Sequence, residues 1–416
     1  MLVPVVTRFF PTGTTLIATP EYPDGPILDV WPGEPTEAIH TLARVGLADP
    51  FTWARSKAQL SEGQRQRFQL AYAAQSPGDL LVVDEFLAGL DRMTAKAVAW
   101  SFAKHLRRLG KSALLITSHN DLADHLQPDY LIECSWEAEA KVTSIAWDRP
   151  DPPLMDDIEY SRGTTADWKM LKHLHYAAGN PATYHSVHCL RHPKLSTPAA
   201  VAVFSYPDLH SSPRNLATGD DFVVHGSGSR ARRLNRDILK LSRVVVAPEL
   251  RSIGLARRLI LASIPNLDVA FVEATASMAR YTGFLEKSGF RHIPQGRSEV
   301  EGDLLDWAAT VGLPAQLALS AVEFTAWINE LSVRNRREGR RRIWMYYFHF
   351  VLHRRTRGGR PKRIPNGDDP RWTEAMDLAA RRIHDRPDYY ILGPLRVSTP
   401  PPEAVRSGPS ETIPGD

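Results

Sequence analysis

One stretch, Leu60–Phe86, constrains the fold of this chain more than any other. It opens with the short polar turn Leu60–Gln64, which leads into a helical run rich in Arg and Gln. The N-terminus of such a helix presents free backbone N–H groups that can bind phosphate. The run Leu80–Val83 is continuously apolar, as in a buried parallel strand, and it ends in the carboxylates of Asp84 and Glu85. Because such carboxylates can hold Mg²⁺ and orient a water molecule, the stretch predicts an α/β unit that binds phosphate.

Four motifs follow one another in the order typical of one family. Leu60–Gln64 resembles the signature motif of the ABC-type ATPases, and Leu80–Asp84, followed by Glu85, resembles their Walker B motif and catalytic glutamate. Gly89-Leu90-Asp91 is similar to the D-loop, and Ser118-His119 is similar to the segment that carries the switch histidine. Together the four motifs identify a relationship that none of them establishes alone.

The resemblance implies ATP and Mg²⁺ as cofactors. It implies that Glu85 polarises the attacking water, that Asp84 positions Mg²⁺ and that His119 contacts the γ-phosphate. The residues implied for nucleotide binding are Ser61, Gly63, Gln64 and Asp91. In ABC dimers the signature of one subunit completes the site of the other, so a homodimer with Ser61 and Gly63 acting in trans is implied.

One part of the ATPase pattern is missing. A phosphate loop of the form GxxxxGK[ST] should precede the signature, since its backbone N–H groups and its Lys hold the phosphates. The segment Pro11–Thr15 has neither the Lys nor the second Gly. Three explanations stay open: the true start lies upstream of Met1, another polypeptide supplies the loop, or the site is degenerate. We expect the first; the missing loop also favours the alternative of a non-hydrolysing regulatory or interaction module.

The composition is that of an ordinary globular protein. With 416 residues, 43% of them hydrophobic and 24% charged, the chain is long enough for two or three domains with cores of their own. The net charge is only +4, so attraction to nucleic acid or membranes needs local clustering. Cys134 and Cys189 are the only cysteines, which favours a reducing compartment. Since neither a membrane-length apolar run nor a signal-like segment is present, we expect a cytoplasmic protein without membrane contact.

The hydrophobic pattern around the motifs alternates between strands and helices, which predicts a mostly parallel sheet. The predicted strands are Val3–Phe10, Thr15–Ala18, Leu80–Val83, Ser112–Thr117, Tyr130–Cys134 and Val142–Trp147, and the predicted helices are Glu37–Arg44 and Thr94–Leu109. The next segment, Asp148–Pro153, carries three prolines, which exclude regular structure. We therefore place a domain boundary there.

A second motif lies beyond this boundary. The predicted strand Ser242–Pro248 leads through a tight turn into the helix Arg257–Ser263, which points several N–H groups one way and suits a pyrophosphate. The turn resembles motif A of the GNAT acyltransferases, R/Q-x-x-G-x-G/A, filled by Arg251, Gly254 and Ala256. A small residue at 254 lets the backbone approach a cofactor. The resemblance implies acetyl-CoA as the cofactor, held by Val245, Val246, Arg251, Ile253, Gly254, Leu255 and Ala256.

The segment after this motif extends the resemblance and also departs from it. The predicted strand Asp268–Val272, the predicted helix Ser277–Lys287 and then Ser288–Arg291 are similar to the GNAT ending, where the acyl-CoA arm passes between two splayed strands. The asparagine usual at the head of that helix aligns with Met278, and the tyrosine usual as general acid aligns with Leu285. The usual proton donor is therefore absent.

Two other residues are candidates for proton transfer. Tyr281 is the candidate acid, and Glu273, at the end of the second strand, is the candidate base. With the segments Leu234–Asp237 and Trp168–Tyr176, the range 27–293 resembles a branch in which an ABC ATPase is fused to a predicted acetyltransferase.

Histidines and one cysteine cluster in the second domain. They are His173, His175, His185, His188, Cys189 and His192. Imidazole and thiolate are common ligands of transition metals, but the spacing fits no standard zinc pattern. We expect stacked or surface roles for these side chains.

The chain changes character beyond residue 297. The range 304–331 predicts two helices, and Val333–Arg363 carries twelve basic residues against the single acid Glu338. The aromatic block Ile343–Phe350 lies between two basic groups, as phosphate contacts combined with base stacking require. The segment Arg334 to Arg363 thus predicts DNA or RNA as a partner, with a solvated basic face as the alternative. We expect most aromatic side chains of the block to be buried.

The sequence therefore predicts an α/β protein of several parts. They are an ABC-type ATPase domain at 1–147, a linker at 148–157, a GNAT-like domain at 158–300, a basic helical extension at 301–396 and a disordered tail at 397–416. The predicted activity is an ATPase coupled to acetyl transfer from acetyl-CoA, with nucleic acid or an associated protein as acceptor. The alternative is a non-hydrolysing nucleic-acid-binding module with an inactive GNAT fold.

Overall fold

The computed structural model describes residues 22–78, 80–135, 139–175, 179–223, 228–296, 298–313, 321–352, 364–365, 369–384 and 387–395. Three predictions lie outside the described residues: the strands Val3–Phe10 and Thr15–Ala18, the second basic group of Arg334 to Arg363, and the tail at 397–416. The described part is a mixed α/β structure with one large sheet, two small sheets and helices around them.

The elements are numbered here in chain order. The helices are α1 Pro35–Arg44, α2 Pro50–Trp53, α3 Glu62–Gln75, α4 Arg92–Leu109, α5 Ala123–Leu126, α6 Thr165–Leu171, α7 Ser212–Thr218, α8 Gly228–Asp237, α9 Leu255–Ser263, α10 Ala279–Thr282, α11 Phe284–Lys287, α12 Glu299–Thr310, α13 Ala321–Glu330, α14 Val333–Tyr347 and α15 Pro370–His384. The strands are β1 Leu80–Val83, β2 Ser112–Leu115, β3 Tyr130–Glu133, β4 Lys141–Ser144, β5 Glu159–Gly163, β6 Ser186–Arg191, β7 Ala200–Ser205, β8 Ile238–Val246, β9 Phe271–Ala276, β10 Arg291–Ile293 and β11 Asp388–Leu392. Single 3₁₀ turns lie at Lys57–Gln59, Asn120–Leu122, Pro153–Met155, Lys172–Leu174, Pro248–Leu250 and Ile264–Asn266, and a π turn at Phe348–Leu352.

The N-terminal part, residues 22–147 and here called the ATPase-like region, is built on two small sheets. β1 and β2 pair in parallel, whereas β3 and β4 form an antiparallel hairpin. The hairpin is largely exposed to solvent, with Tyr130 67% and Val142 62% accessible. The prediction of a mostly parallel sheet is therefore correct for β1 and β2 and wrong for β3 and β4, because these last two strands pair with each other.

The long helix α4 starts and stops where its sequence predicts. The Asp91 carboxylate accepts hydrogen bonds from the N–H groups of Met93 and Thr94, which satisfies two donors that a helix start leaves free. Gly110 ends the helix in the left-handed conformation, at φ +66°. The helix spans Arg92–Leu109, which confirms the predicted helix Thr94–Leu109 with one more half-turn at its start.

The large sheet and the helices α6–α11 are together called the sheet unit. The sheet has seven strands in the order β10-β11-β9-β8-β7-β6-β5. β8 and β9 are parallel and the other neighbouring pairs are antiparallel. β7 is buried along its whole length, because helices cover both faces of the sheet there.

Two predicted elements of the sheet unit differ from the structure. The predicted helix Ser277–Lys287 is divided into α10 and α11, because Gly283 takes φ +60° between them. The predicted strand Asp268–Val272 begins and ends later, as β9, and Glu273 therefore lies inside the strand rather than at its end.

The strand β11 belongs to the large sheet although it lies beyond the domain boundary predicted at residue 300. It inserts between β9 and β10 and pairs with both in antiparallel register. The helices α12–α15 between the predicted boundary and β11 form a core of their own around Trp307, Ile343 and Trp372. The predicted extension at 301–396 is thus a helical insertion whose chain returns to complete the sheet.

The ATPase-like region packs directly against the sheet unit. Ala97 and Trp100 of α4 belong to the same hydrophobic core as Leu154, Met155 and the strands of the large sheet. Among the described residues, no helix has the length and the apolar composition that crossing a membrane requires.

Candidate functional site

A cleft with a volume of about 1540 Å³ opens between the two regions. One wall consists of β8, the turn before α9 and the segment Ala274–Leu285. The other wall consists of side chains from α1 and α4 of the ATPase-like region. Since a cavity of this size accommodates a large cofactor, the cleft is the candidate site.

The floor of the cleft is the point where β8 and β9 separate. Their parallel register runs from Ile238↔Phe271 to Leu241↔Ala274 and goes no further. β8 continues to Val246 and there pairs only with β7, with a bulge at Val203/Phe204. Beyond Leu241, the edge of β8 that points away from β7 has no paired strand among the described residues.

A turn beside the splayed strands carries the predicted phosphate-binding residues. Gly254 takes φ +99° and caps the N-terminus of α9, while Ser252 takes φ +68°. In this left-handed conformation a glycine avoids the strain that a side chain brings. All seven residues predicted to hold acetyl-CoA line the cleft, namely Val245, Val246, Arg251, Ile253, Gly254, Leu255 and Ala256.

The side chain of Arg251 serves the turn itself. Its Nε donates to the Val246 carbonyl at 3.4 Å. Burial lowers the pKa of Arg251, while the charges of Asp49 and Glu249 oppose that shift. Arg251 therefore holds the turn against the end of β8.

The predicted acid, Tyr281, lies in the cleft wall. Its ring is in edge contact with Trp53, at 6.4 Å between centroids, and with His40, at 5.6 Å. The His40 Nδ1 lies 3.2 Å from the Tyr281 carbonyl oxygen. Leu285, which stands where a tyrosine is usual, is fully buried. Tyr281 is therefore the one tyrosine among the described residues that line the cleft.

The predicted base, Glu273, is engaged in a buried network and does not line the cleft. Its two oxygens accept from Nε and Nη2 of Arg214, at 2.8 and 3.0 Å, and one also accepts from the Tyr389 hydroxyl at 2.7 Å. Burial lowers the pKa of Arg214, but the hydrogen bond to Glu273 and the charges of Glu273, Tyr389 and Asp208 together outweigh burial and leave that pKa raised. Burial and the Glu273 charge raise the pKa of Tyr389. This geometry suits a structural role for Glu273, because both of its oxygens already accept hydrogen bonds inside the protein.

Other groups in the cleft can accept a proton. Among the described lining residues these are His40, His175 and Asp151. The sequence pattern did not single out His40 or Asp151, because both lie in the ATPase-like region or the linker, far along the chain from the turn. The signal that finds them is the packing of the two regions.

The ATPase-like region presents its own predicted residues at the start of α3. The Ser61 hydroxyl accepts from the Gln64 N–H at 3.3 Å, and the Gln64 side-chain oxygen accepts from the Ser61 N–H at 3.0 Å. This reciprocal pair is a capping box, which fixes the exposed N-terminus of α3. Gly63 lies in the same first turn, next to the carboxylate of Glu62.

The carboxylates Asp84 and Glu85 lie at the C-terminal edge of the β1–β2 pair. Pairing continues past the assigned strand ends, since the Phe86 N–H donates to the Ile116 carbonyl at 2.8 Å. The segment that carries His119 therefore follows β2 at the same edge as the two carboxylates. Glu85 is exposed and takes φ +52°. One carboxylate at a strand edge fits Mg²⁺ held jointly with nucleotide phosphates.

Of the clustered histidines, His188 and His192 are buried, whereas His173 and His185 are exposed. His188 is fully buried, its Nδ1 lies 2.7 Å from the Tyr160 hydroxyl, and its ring stacks on that of Tyr160. Burial lowers the pKa of His188 to about 4, helped by the charge of Arg162. Within the described ranges, no three His, Cys, Asp or Glu side chains form a group suited to a metal ion. The stacked role expected from the sequence agrees with this geometry.

The basic helix α14 divides into a buried face and an exposed face. Trp344, Tyr346 and Tyr347 are buried, which confirms the expectation for the aromatic block. Arg340 stacks on Trp372, with its guanidinium 4.2 Å from the ring centroid, and Arg342 donates to Glu338 at 2.7 Å. The exposed arginines of the helix are Arg334, Arg337 and Arg341, spaced three and four residues apart on one face.

Comparison with known proteins bears on the ATPase-like motifs. No family model matches the chain. The macrolide export ATP-binding/permease protein MacB 2 of Yersinia pestis bv. Antiqua (strain Antiqua) is 33% identical over 126 residues, which are 29% of this chain and 17% of that protein. The aliphatic sulfonates import ATP-binding protein SsuB of Cupriavidus necator is 46% identical over 82 residues, 20% of this chain and 26% of that protein. The phosphonates import ATP-binding protein PhnC of Lactococcus lactis subsp. cremoris (strain SK11) is 38% identical over 86 residues, 21% of this chain and 34% of that protein.

These relatives are ABC ATP-binding proteins. The similarity is to ATP-binding proteins and covers between 20% and 29% of this chain. The matches span between 17% and 34% of the length of these relatives.

Proposed function

We propose that this chain couples an ABC-type ATPase region to an acyltransferase that takes its acyl group from acetyl-CoA. The observation that carries the acyltransferase is the separation of β8 from β9 beside the turn 251–256, inside a cleft of about 1540 Å³. Unpaired strand edges and a helix N-terminus are the groups that an extended amide-containing arm and a pyrophosphate require.

In this proposal the pantetheine arm lies between β8 and β9 and the pyrophosphate lies at the start of α9. A backbone N–H of β8 near Val245 stabilises the oxyanion that develops on the thioester carbonyl. An acceptor amine attacks the carbonyl carbon, the C–N bond forms and the C–S bond breaks. The amine proton passes to a base, and CoA leaves as a thiolate that takes up a proton.

The proton-transfer groups proposed are those that reach the cleft. Tyr281 is the proposed donor of a proton to the leaving thiolate, and its position in the cleft wall supports this role. The base is one of His40, His175 and Asp151, because Glu273 is committed to Arg214 and Tyr389. Two of these bases lie outside the predicted GNAT-like domain 158–300, so the site depends on the packing of both regions.

Calorimetric titration of the full chain with acetyl-CoA tests this proposal. We expect saturable binding that Ala256→Glu weakens by at least about tenfold, because the new carboxylate faces the pyrophosphate at a helix start. Gly254→Glu should act in the same direction. The matched control is Gly296→Glu, at an exposed position where an added Cβ meets no described atom within 4 Å. Absence of binding, or equal binding by all four proteins, would remove the acyltransferase.

The ATPase part of the proposal rests on the capping box of α3, the carboxylates after β1 and the ABC relatives. Ser61 and Gly63 complete the nucleotide site of a second subunit, or of a polypeptide that supplies the phosphate loop. Phosphate release should then require Glu85, so Glu85→Gln should retain MgATP binding and lose hydrolysis, whereas Asp129→Asn should keep both. MgATP binding without hydrolysis in the parent protein would favour the non-hydrolysing module.

We also propose nucleic acid as the partner, through the exposed face of α14. Arg334, Arg337 and Arg341 present three cations on one side of a helix, which suits contact with a phosphate backbone. The acceptor of the acyl group is then the nucleic acid or a protein associated with it. Transfer of label from acetyl-CoA to a bound polymer or protein tests this part, and free amines as the sole acceptors would contradict it.

A further inference from the structure

One end of the cleft carries a dense group of cations from both regions. Arg44 ends α1, Lys104 and Arg108 lie on α4, and Lys287 ends α11. All four line the cleft. Two of the three elements belong to the ATPase-like region, so the group exists only because the regions pack together.

The cations lie close enough to influence each other. Burial lowers the pKa of Lys287, and the charges of Arg108, Lys104 and Arg44 lower it further. Burial and the charge of Arg44 likewise lower the pKa of Arg108. Like charges that lie close together repel one another. An anion bound among them relieves this repulsion, which favours its binding.

The group has no ion-pair partner in the described part of the chain, although the charge of Glu286 opposes the lowering of the Lys287 pKa. No carboxylate there lies within ion-pair distance of Arg44, Lys104, Arg108 or Lys287. Asp151 is the one carboxylate among the described lining residues of the cleft. Two of these cations make weak contacts with the protein. Lys104 lies 5.8 Å from the ring centroid of Trp100, and Lys287 donates a hydrogen bond to the Thr282 carbonyl at 3.3 Å. The group is therefore free to bind an anion from solution.

The cation group is connected to the phosphate-binding turn. Arg257, in the first turn of α9, donates from Nε to the Lys287 carbonyl at 2.8 Å. Arg257 also lines the cleft. An anion among the cations is thus a neighbour of whatever the start of α9 binds.

We propose that Arg44, Lys104, Arg108 and Lys287 form the subsite for the phosphorylated adenosine end of CoA, with the 3′-phosphate as the group that they recognise. The inference rests on the proposed acyltransferase and adds that the ATPase-like region supplies most of the nucleotide-end contacts. A ligand extending from the splayed strands past the start of α9 reaches these cations next. The ATPase-like region is therefore part of the acyl-CoA site rather than a separate attachment.

The test compares CoA with dephospho-CoA, which lacks only the 3′-phosphate, by titration of the full chain. The parent protein should bind CoA about tenfold more tightly, since charge-assisted hydrogen bonds to one phosphate support a ratio of that order. The double variant Arg44→Ala/Arg108→Ala should bind the two ligands about equally, with its affinity for dephospho-CoA within about twofold of the parent's. Lys287→Glu should remove the preference as well. The matched control Lys141→Ala, an exposed cation on β4, should behave like the parent.

The outcomes separate this inference from the function on which it rests. Acetyl-CoA binding with no preference for the 3′-phosphate, or a preference that survives in the double variant, overturns the subsite and leaves the acyltransferase standing. Unchanged dephospho-CoA binding shows that the variants fold. If ATP displaces CoA with equal affinity and depends on the same arginines, the cations serve ATP and the inference fails. If no form of CoA binds, the acyltransferase itself fails.

Discussion

The sheet unit and the ATPase-like region differ in how fully their strands are covered by other parts of the protein. In the sheet unit the central strands are covered on both faces, and a buried Arg214–Glu273 pair ties β9 to the helix α7. In the ATPase-like region β2 is only partly covered, the β3–β4 hairpin is mostly exposed, and Trp100 finds its buried environment in the core of the other region. The sheet unit covers its central strands with its own helices, whereas the ATPase-like region buries Trp100 only against its neighbour.

This difference bears on function as well as on stability. The cleft has one wall from each region, so the packing that completes the ATPase-like region also builds the candidate site. Variants that act inside one region and variants that act at the junction should therefore have distinct signatures.

The largest effect is expected inside the sheet unit. Glu273→Gln removes the charge that compensates Arg214, whose side chain is fully buried, and should lower the free energy of unfolding by about 3–5 kcal/mol. Urea unfolding followed by circular dichroism measures it. The paired change Arg214→Met/Glu273→Leu should lose less, because both charges leave together. The exposed Glu286→Gln serves as control, and a Glu273→Gln protein as stable as that control would contradict the account.

The next effect is expected at the junction. Arg67, which is 3% exposed, donates to the carbonyls of Val45, Pro248 and Glu249, at 3.1, 3.2 and 3.2 Å. Burial lowers its pKa to about 10, so it stays charged near neutral pH. Arg67→Ala leaves these carbonyls unpaired beside a cavity and should cost about 2–4 kcal/mol.

The junction variant also has a qualitative signature. If Arg67 links the regions, tryptophan fluorescence and circular dichroism should give coincident urea transitions in the parent and separate ones in Arg67→Ala. Arg65→Ala, two positions away on the exposed face of α3, is the matched control and should behave like the parent. Coincident transitions in Arg67→Ala at the parent's midpoint would show that the residue does not link the regions.

A smaller effect concerns pH. His105 of α4 is fully buried, and both ring nitrogens have no partner among the described residues. Burial, with the charges of Arg44 and Arg108, lowers its pKa to about 4, against about 6.5 in the unfolded chain. The unfolded state thus binds a proton that the folded state excludes, and stability is lost as the pH falls from about 6.5 toward 4.

Replacing this histidine should flatten the pH dependence. Between pH 7.5 and pH 5, His105→Leu should lose about 1–2 kcal/mol less of its unfolding free energy than the parent does. The exposed His210→Leu is the control and should keep the parent's dependence. An unchanged dependence in His105→Leu would mean that folding does not lower the pKa of His105.

The smallest effect on stability, but a clear one on binding, is expected on α14. Changing Arg334, Arg337 and Arg341 to Glu should weaken DNA or RNA binding and lower the slope of log affinity against log salt by about three units if each contacts one phosphate. Stability should change by less than about 0.5 kcal/mol, because these side chains are exposed. Parental binding by the triple variant would make the helix a solvated face.

The sequence predicts well the elements whose signals are local. β1 and α4 follow from a continuous apolar run and from Asp91 and Gly110 at the helix ends. The turn 251–256 follows likewise from its own residues, since a helix start after a strand fixes where the N–H groups point. These features need no information from distant parts of the chain.

The missed features depend on contacts between distant parts. β11 lies in a short apolar run that resembles many others, and only its pairing with β9 and β10 makes it part of the sheet. The sequence predicts proton transfer for Glu273 because it does not reveal the ion pair with Arg214, which lies 59 positions away along the chain. The role of Arg44 and Arg108 cannot be predicted from the sequence for the same reason, because it depends on residues in the opposite wall of the cleft.

Hydrogen exchange with and without acetyl-CoA tests the central claim, that the cleft between the two regions is the acyl-CoA site. In the full chain, acetyl-CoA should slow exchange of the amides in Val244–Val246 and Ile253–Arg258, and this slowing should be lost in Ala256→Glu. Peptides of α14 should exchange at the same rate with and without the cofactor. Protection confined to α3 and the segment after β1, or no protection anywhere, would contradict the account.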